Sequence, residues 1–212
     1  MSSHIAAIIA LSFSMKRARK TPHSTSRRGG HVRIIAGQWR GRKLPVHDLE
    51  GLRPTTDRNK ETLFNWLMHD TQNAVCLDVF AGAGSLGMEA LSRYASQCDF
   101  FEKDAQAASQ LKTNLATLQA NGTVSCGDAL SLLKTSHNSY DIIFIDPPFN
   151  QGLVQPALDI IVQRQLIKPN GLIYIEQEAN ASLPAMPDTL QIIKSKQLSG
   201  LSYLLIEAQA MD

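Results

Sequence analysis

Val75-Cys-Leu-Asp-Val-Phe-Ala-Gly-Ala-Gly-Ser-Leu-Gly87 is the stretch from which the rest of the chain can be read. Residues Val75 to Phe80 form a short apolar run of the kind that makes a buried strand. The run passes directly into Gly82, Gly84 and Gly87, a G-x-G-x-x-G spacing at a strand-to-helix turn. Glycines there permit backbone conformations and close approaches that a Cβ would block, so the turn can wrap a ligand. Alone, this pattern is shared by dinucleotide-binding proteins and by chance loops.

Downstream of that turn, strand-like and helix-like patterns alternate. Strands are predicted at Asp99–Glu102, Thr123–Cys126, Tyr140–Ile145 and Gly171–Glu176. Helices are predicted near Ser85–Tyr94, Ala105–Leu118, Ala129–Lys134 and Leu153–Gln163. Strands separated by helix-length crossovers imply an α/β fold, a mostly parallel sheet with helices on both faces. Leu190–Lys194 and Ser202–Glu207 flank a turn at Ser199-Gly200, too close for a helical crossover, and predict an antiparallel edge hairpin completing seven strands. Upstream, Val32–Gly37 and Arg40–Val46 predict a small β-hairpin around Gly37. Asp57 can cap a helix whose apolar face is Leu63, Phe64, Trp66 and Leu67. The expected organisation is an arm over 1–31, a hairpin segment over 32–56 and the main domain over 57–212. There is no internal repeat.

Two features turn the glycine loop from a dinucleotide site toward S-adenosylmethionine. Asp78 precedes the glycines inside the strand, and Phe80 lies between them. S-adenosylmethionine has no pyrophosphate for a helix N-terminus to hold; it carries a sulfonium and an amino group that a nearby carboxylate can orient. Glu102 closes the second strand, where an acid can accept hydrogen bonds from both ribose hydroxyls. Asp128 follows the third, where a carboxylate can reach the adenine amine. Glu102 alone also reads as a solvated strand-end acid, and Asp128 alone as a helix cap. Three acids at successive strand ends converge on the crevice where open α/β sheets bind ligands.

Asp146-Pro-Pro-Phe149 follows the fourth strand. The proline pair stiffens the backbone and withholds two N–H donors, so the tetrad presents acceptors: the Asp146 carboxylate and backbone carbonyls such as that of Pro147. Pro148 completes the rigid turn and Phe149 adds an aromatic face. An exocyclic base amine, whose lone pair is delocalised into its ring, needs such acceptors to become nucleophilic. A rigid turn after a strand is the plainer reading; the position downstream of a matching cofactor loop favours the chemical one.

At 212 residues, 43% hydrophobic and 19% charged, the chain suits one substantial domain with a small attachment. Its net charge of +2 conceals an asymmetry: no acid occurs from Met1 to His47, while ten basic residues do. Such asymmetry points to a polyanion or to a solvated tail. Ile5–Phe13 is too short to span a bilayer, and its charges follow the apolar run, unlike a secretory signal. Residues 1–14 are expected to be an extension upstream of a start at Met15, or a frayed tail; an intact mass including Met1 or Ser2 would contradict the first. Cys76, Cys98 and Cys126, without a C-x-x-C, are expected to be buried thiols in a reducing cytosol, with no metal site. A cytoplasmic, membrane-free monomer is expected.

The motifs together resemble the RsmD family, bacterial 16S rRNA guanine-N2 methyltransferases that modify nucleotide 966. The resemblance is carried by Arg33-Ile-Ile-Ala-Gly-Gln-Trp-Arg-Gly-Arg-Lys-Leu44 with Pro45, by Gly51-Leu-Arg-Pro-Thr-Thr-Asp-Arg58 with Glu61–Trp66, by Asp78–Gly87 and by Asp146–Phe149. It covers nearly everything from about residue 31 onward, and residues 1–14 have no counterpart in it. It implies a Rossmann-like class I methyltransferase fold with an N-terminal hairpin, S-adenosylmethionine as cofactor, and 16S rRNA in the small subunit or its assembly intermediate as partner. Arg40, Arg42 and Lys43 are then candidates for phosphate contacts, with a strand placing both arginines on one face. Trp39 either stacks on an unpaired base or packs the hairpin onto the main domain. Arg53 and Arg58 read as lid or substrate contacts, and Asp57 as a cap. Competing readings are a DNA adenine-N6 or cytosine-N4 methyltransferase, a protein glutamine methyltransferase, and a ribosome-assembly RNA-binding protein with a vestigial site. The short chain disfavours the first, the basic arm the second, and the four acids the third.

Overall fold

The computed structural model describes residues 30–46 and 57–210. The arm up to residue 29 and the stretch 47–56, with Arg53, lie outside the described residues. Two short strands, β1 (His31–Arg33) and β2 (Lys43–Pro45), pair antiparallel with Val32 opposite Leu44. Helix α1 (Asp57–Trp66) follows. The main domain then runs β3 (Val75–Asp78), α2 (Ser85–Ser92), β4 (Gln97–Glu102), α3 (Ala105–Leu118), β5 (Gly122–Cys126), α4 (Ala129–Thr135), β6 (Tyr140–Ile145), α5 (Val154–Gln163), β7 (Ile167–Glu178), β8 (Leu190–Leu198) and β9 (Leu201–Ala208). These make the seven-stranded, mostly parallel sheet expected, in the order β5-β4-β3-β6-β7-β9-β8.

Alternation along the strands sorts the core into two layers. Cys76, Ile142, Phe144 and Tyr174 face one side, where Leu63 and Phe64 of α1, Met88 of α2 and Leu111 of α3 cover them. Leu77, Ile143, Ile145, Ile173 and Ile175 face the other, under Leu133 of α4 and Ile161 of α5. Strands buried on both faces read as continuous apolar runs, which is why β6 was visible in the sequence.

The expected antiparallel edge hairpin is present, its turn carrying Ser199 at φ 53° and Gly200 at φ 80°, and β9 lies between β7 and β8. The last strand is therefore interior and almost wholly buried, while β8 forms the edge. Strand β7 begins at Ile167, before the apolar run at Gly171. Pro169 and Asn170, at φ 59°, fall where the register shifts against β6, and a bulge tolerates both.

Strand β3 pairs with β4 on one side and β6 on the other, and the chain leaves it in opposite directions across the sheet. That is the topological switch point, and the carboxyl ends of β3, β4 and β6 open onto its crevice.

Candidate active site

Asp78 ends β3 and is 2% exposed; its Oδ2 accepts a hydrogen bond from Gly87 N at 3.0 Å. The donor is one of the N–H groups that the first turn of α2 leaves without a helical partner. Burial pushes the Asp78 carboxyl up to about 7, the Gly87 bond opposes this, and the charges of Asp146 and Glu102 add to it. Asp78 therefore feels both of the other acids across the crevice. The glycines divide their work. Gly82 and Gly84 adopt φ 51° and 74°, the left-handed conformations that the turn into α2 requires. Gly87 is a packing residue: a Cβ there would lie 2.2 Å from the Phe100 ring and 2.7 Å from Cys98 Sγ. Phe80 is half-buried against the α4 and α5 layer.

Glu102 ends β4, 8% exposed, and its Oε1 accepts from Asp104 N at 2.6 Å. Among the described residues neither Asp78 nor Glu102 forms an ion pair. Asp128 is exposed and caps α4, accepting from Ser131 N at 2.9 Å and Ser131 Oγ at 2.8 Å. Those bonds hold its carboxyl below the usual range.

Asp146-Pro-Pro-Phe149 leaves the end of β6, next to β3. Asp146 is half-buried, Pro147 buried, Pro148 exposed, and Phe149 half-buried against the α1–α3 layer. The loop is tied down at its far side, where Asn150 N donates to Glu178 Oε1 at the end of β7. Beneath it, Tyr174 Oη donates to Glu176 Oε2 at 3.1 Å, and the Tyr174 ring stacks on Tyr203 at 6.5 Å. Asn59 of α1 donates to Tyr203 Oη at 2.8 Å. Sequence reasoning missed Glu176 and Glu178. The strand-end rule that singled out Glu102 would have found Glu176, the last residue of the apolar run.

The hairpin is docked on α1 and α2 by buried ionisable groups. The Glu89 carboxylate, fully buried, accepts from Ile35 N at 2.8 Å, Ala36 N at 3.0 Å and Arg93 Nε at 2.8 Å. Lys60, 1% exposed, donates to the carbonyl of Arg33, and burial lowers its pKa. Gly37, at φ 78°, lets Gln38 N reach Ser92 O at 2.8 Å; a Cβ would lie 1.8 Å from that oxygen. The strand placement of Arg40 and Arg42 is corrected: both lie in the connection between β1 and β2, because the docked turn interrupts the ladder. Both remain exposed, as does Lys43 on β2. Trp39 is half-buried against the main core, matching its packing reading. Arg58 is exposed in the first turn of α1. Asp57 is the first helical residue, 3.6 Å from Arg33. Cys76 and Cys98 are buried as expected, but Cys126 is exposed, because β5 is the outer edge of the sheet. No helix among the described residues is long and apolar enough to cross a membrane.

The family model described as conserved hypothetical protein 95 matches residues 32–207. Ribosomal RNA small subunit methyltransferase D of Escherichia coli K12 is 45% identical over 193 residues, covering 91% of this chain and 96% of the relative. The Haemophilus influenzae protein of the same name is 48% identical over 183 residues, covering 84% and 94%. The solved structure of yhhF from Escherichia coli superposes with a TM-score of 0.79 at 44% identity, covering 86% of this chain and all of that one. Fold, cofactor-loop motif and matches spanning both chains agree, and the protein belongs to the RsmD family of ribosomal RNA small subunit methyltransferases.

Proposed function

We propose that the protein methylates the exocyclic N2 amine of a guanine in 16S rRNA, position 966 by family resemblance, within the small subunit or its assembly intermediate. The observation that carries this reading is the placement of Asp146-Pro-Pro-Phe149 beside Asp78 at the switch point, close enough for the Asp146 charge to act on Asp78.

The crevice suits S-adenosylmethionine on its own chemistry. Asp78 is a buried carboxylate without an ion pair among the described residues, a site that favours a cationic ligand. Asp78, Phe80, Gly82 and Gly84 would hold its methionine end, Glu102 the ribose, and Asp128 the adenine edge, with Gly87 seating α2 beneath the loop. When bound, that cofactor supplies an electrophilic methyl on its sulfonium. The protein's own work is positioning and electrostatics. The Asp146 carboxylate and the Pro147 carbonyl accept the two amine hydrogens, which draws the nitrogen lone pair out of conjugation. Pro148 keeps the turn rigid. Phe149 stacks on the base, a contact worth roughly 1–3 kcal/mol in single-strand complexes. Asp146 accepts the proton that the amine loses.

Arg40, Arg42 and Lys43 contact phosphates, Arg53 and Arg58 serve as substrate contacts, and Trp39 seats the hairpin. The target guanine is unpaired or rotated out of its stack, since a paired N2 amine is inaccessible. The test is genetic: 16S rRNA from cells lacking the gene should lose one N2-methylguanosine, restored by the wild-type gene and not by an Asp146→Ala copy. Unchanged N2-methylguanosine on deletion would refute the assignment.

A further inference from the structure

Strands β6 and β7 run parallel with Phe144 opposite Tyr174 and Ile145 opposite Ile175. Alternation then places the next residues, Asp146 and Glu176, side by side on the same face at the carboxyl edge. Both act on one phenol: Tyr174 Oη donates to Glu176 at 3.1 Å, and burial, then Glu176, then Asp146, push its pKa well up. Glu176 is 4% exposed and lies opposite Tyr203 of β9, whose ring stacks on Tyr174 and whose hydroxyl is held by Asn59. Tyr174 thus holds the carboxylate at the carboxyl edge, in the register position beside Asp146.

We propose that Glu176 is a specificity-determining residue that accepts the N1–H of the target base and so selects guanine. The inference rests on the reaction proposed above and deepens it. Asp146 and the Pro147 carbonyl cannot discriminate, because adenine, cytosine and guanine all carry an exocyclic amine. The neighbouring ring nitrogen differs. In guanine it is N1–H, a donor beside the N2 donors; in adenine N1 and in cytosine N3 it is a lone pair. The observed bond has Glu176 accepting from the Tyr174 hydroxyl, and an ionised carboxylate only accepts. In that form Glu176 gains a charge-assisted hydrogen bond from guanine and opposes a lone pair in the other two, combining attraction with exclusion.

The test uses 2,6-diaminopurine, which keeps the 2-amino group but turns N1 into an acceptor. Small subunits are reconstituted with 16S rRNA carrying either guanine or 2,6-diaminopurine at the target, and kcat/KM is measured for both. The wild type should prefer guanine by about ten- to a hundredfold, the range of one good hydrogen-bonded base discrimination. In Glu176→Gln the amide can donate to N1, so the preference should narrow by about tenfold, through loss on guanine and gain on 2,6-diaminopurine. Glu176→Asp, which keeps the charge, should keep the preference. Equal loss on both substrates in Glu176→Gln, with the ratio unchanged, would overturn the proposal and leave Glu176 a prop for Tyr174. A normally melting Glu176→Asp protein without base preference would overturn it as well. A wild type that leaves guanine N2 unmethylated would instead sink the underlying reaction.

Discussion

Asp78 is 2% exposed with a carboxyl pushed up to about 7, so near neutral pH it is partly protonated in the free protein. A bound sulfonium or ammonium favours the ionised form, so binding should release a proton. Affinity for S-adenosylmethionine should rise with pH and weaken by up to about tenfold per unit below 7. Calorimetry in buffers of different ionisation enthalpy measures both effects, and Asp78→Asn should abolish the proton release. The linked effect on folding has the opposite direction. A carboxyl with a raised folded pKa binds more protons folded than unfolded between about 4 and 7, so its contribution to stability falls as pH rises through that window. Asp128→Ala should cost about 1 kcal/mol of thermal stability through loss of the α4 cap, whatever it does to cofactor affinity. The strand-end acids were legible because each terminates an apolar run. The separate jobs of the glycines were not, since only the packed structure shows Phe100 against Gly87.

The N-terminal hairpin, which carries the proposed RNA contacts, is bound directly to the helices that cover the sheet. Glu89, on the helix that begins at the cofactor loop, binds its backbone directly. Gly37→Ala would force a side chain into Ser92 O from a left-handed backbone and should displace the whole hairpin. Methyl transfer to small subunits is expected to fall by about a hundredfold while cofactor affinity is retained, since misplacing a positioning element costs rate more than ligand binding. Gly41→Ala, also at positive φ but with nothing within 4 Å of a Cβ, is the control for backbone strain alone. Equal effects of the two substitutions would show that docking of the turn is irrelevant. The hairpin was legible from its two short runs around a glycine, but the buried Glu89 and Lys60 were not: a charge on a helix reads as solvated until its partner is known. The interior place of β9 was hidden for a related reason, because local pattern carries no strand order.

At the scale of the molecule, Asp78, Glu102 and Asp146 stand at the carboxyl edge of the sheet, while Arg40, Arg42 and Lys43 stand exposed on the hairpin segment. Neutralising these three together should weaken small-subunit rRNA binding and reduce the slope of log affinity against log salt by about two to three, near one per lost phosphate contact. An unchanged slope would place the RNA elsewhere. The alternating strand pattern made the sheet readable at this scale and would have yielded Glu176 by the strand-end rule, whereas Glu178 became visible only through its bond to Asn150. The proposed role of Asp146 is to activate a guanine amine beside a separate cofactor site. Its most direct test is transfer from labelled S-adenosylmethionine to small subunits from cells lacking the protein, with wild type and Asp146→Ala, followed by nucleoside mass spectrometry and cofactor titration. Labelled N2-methylguanosine is expected with the wild type only, with near-equal cofactor affinity in both proteins. Label in any other nucleoside, or an Asp146→Ala protein that loses cofactor binding along with transfer, would contradict it.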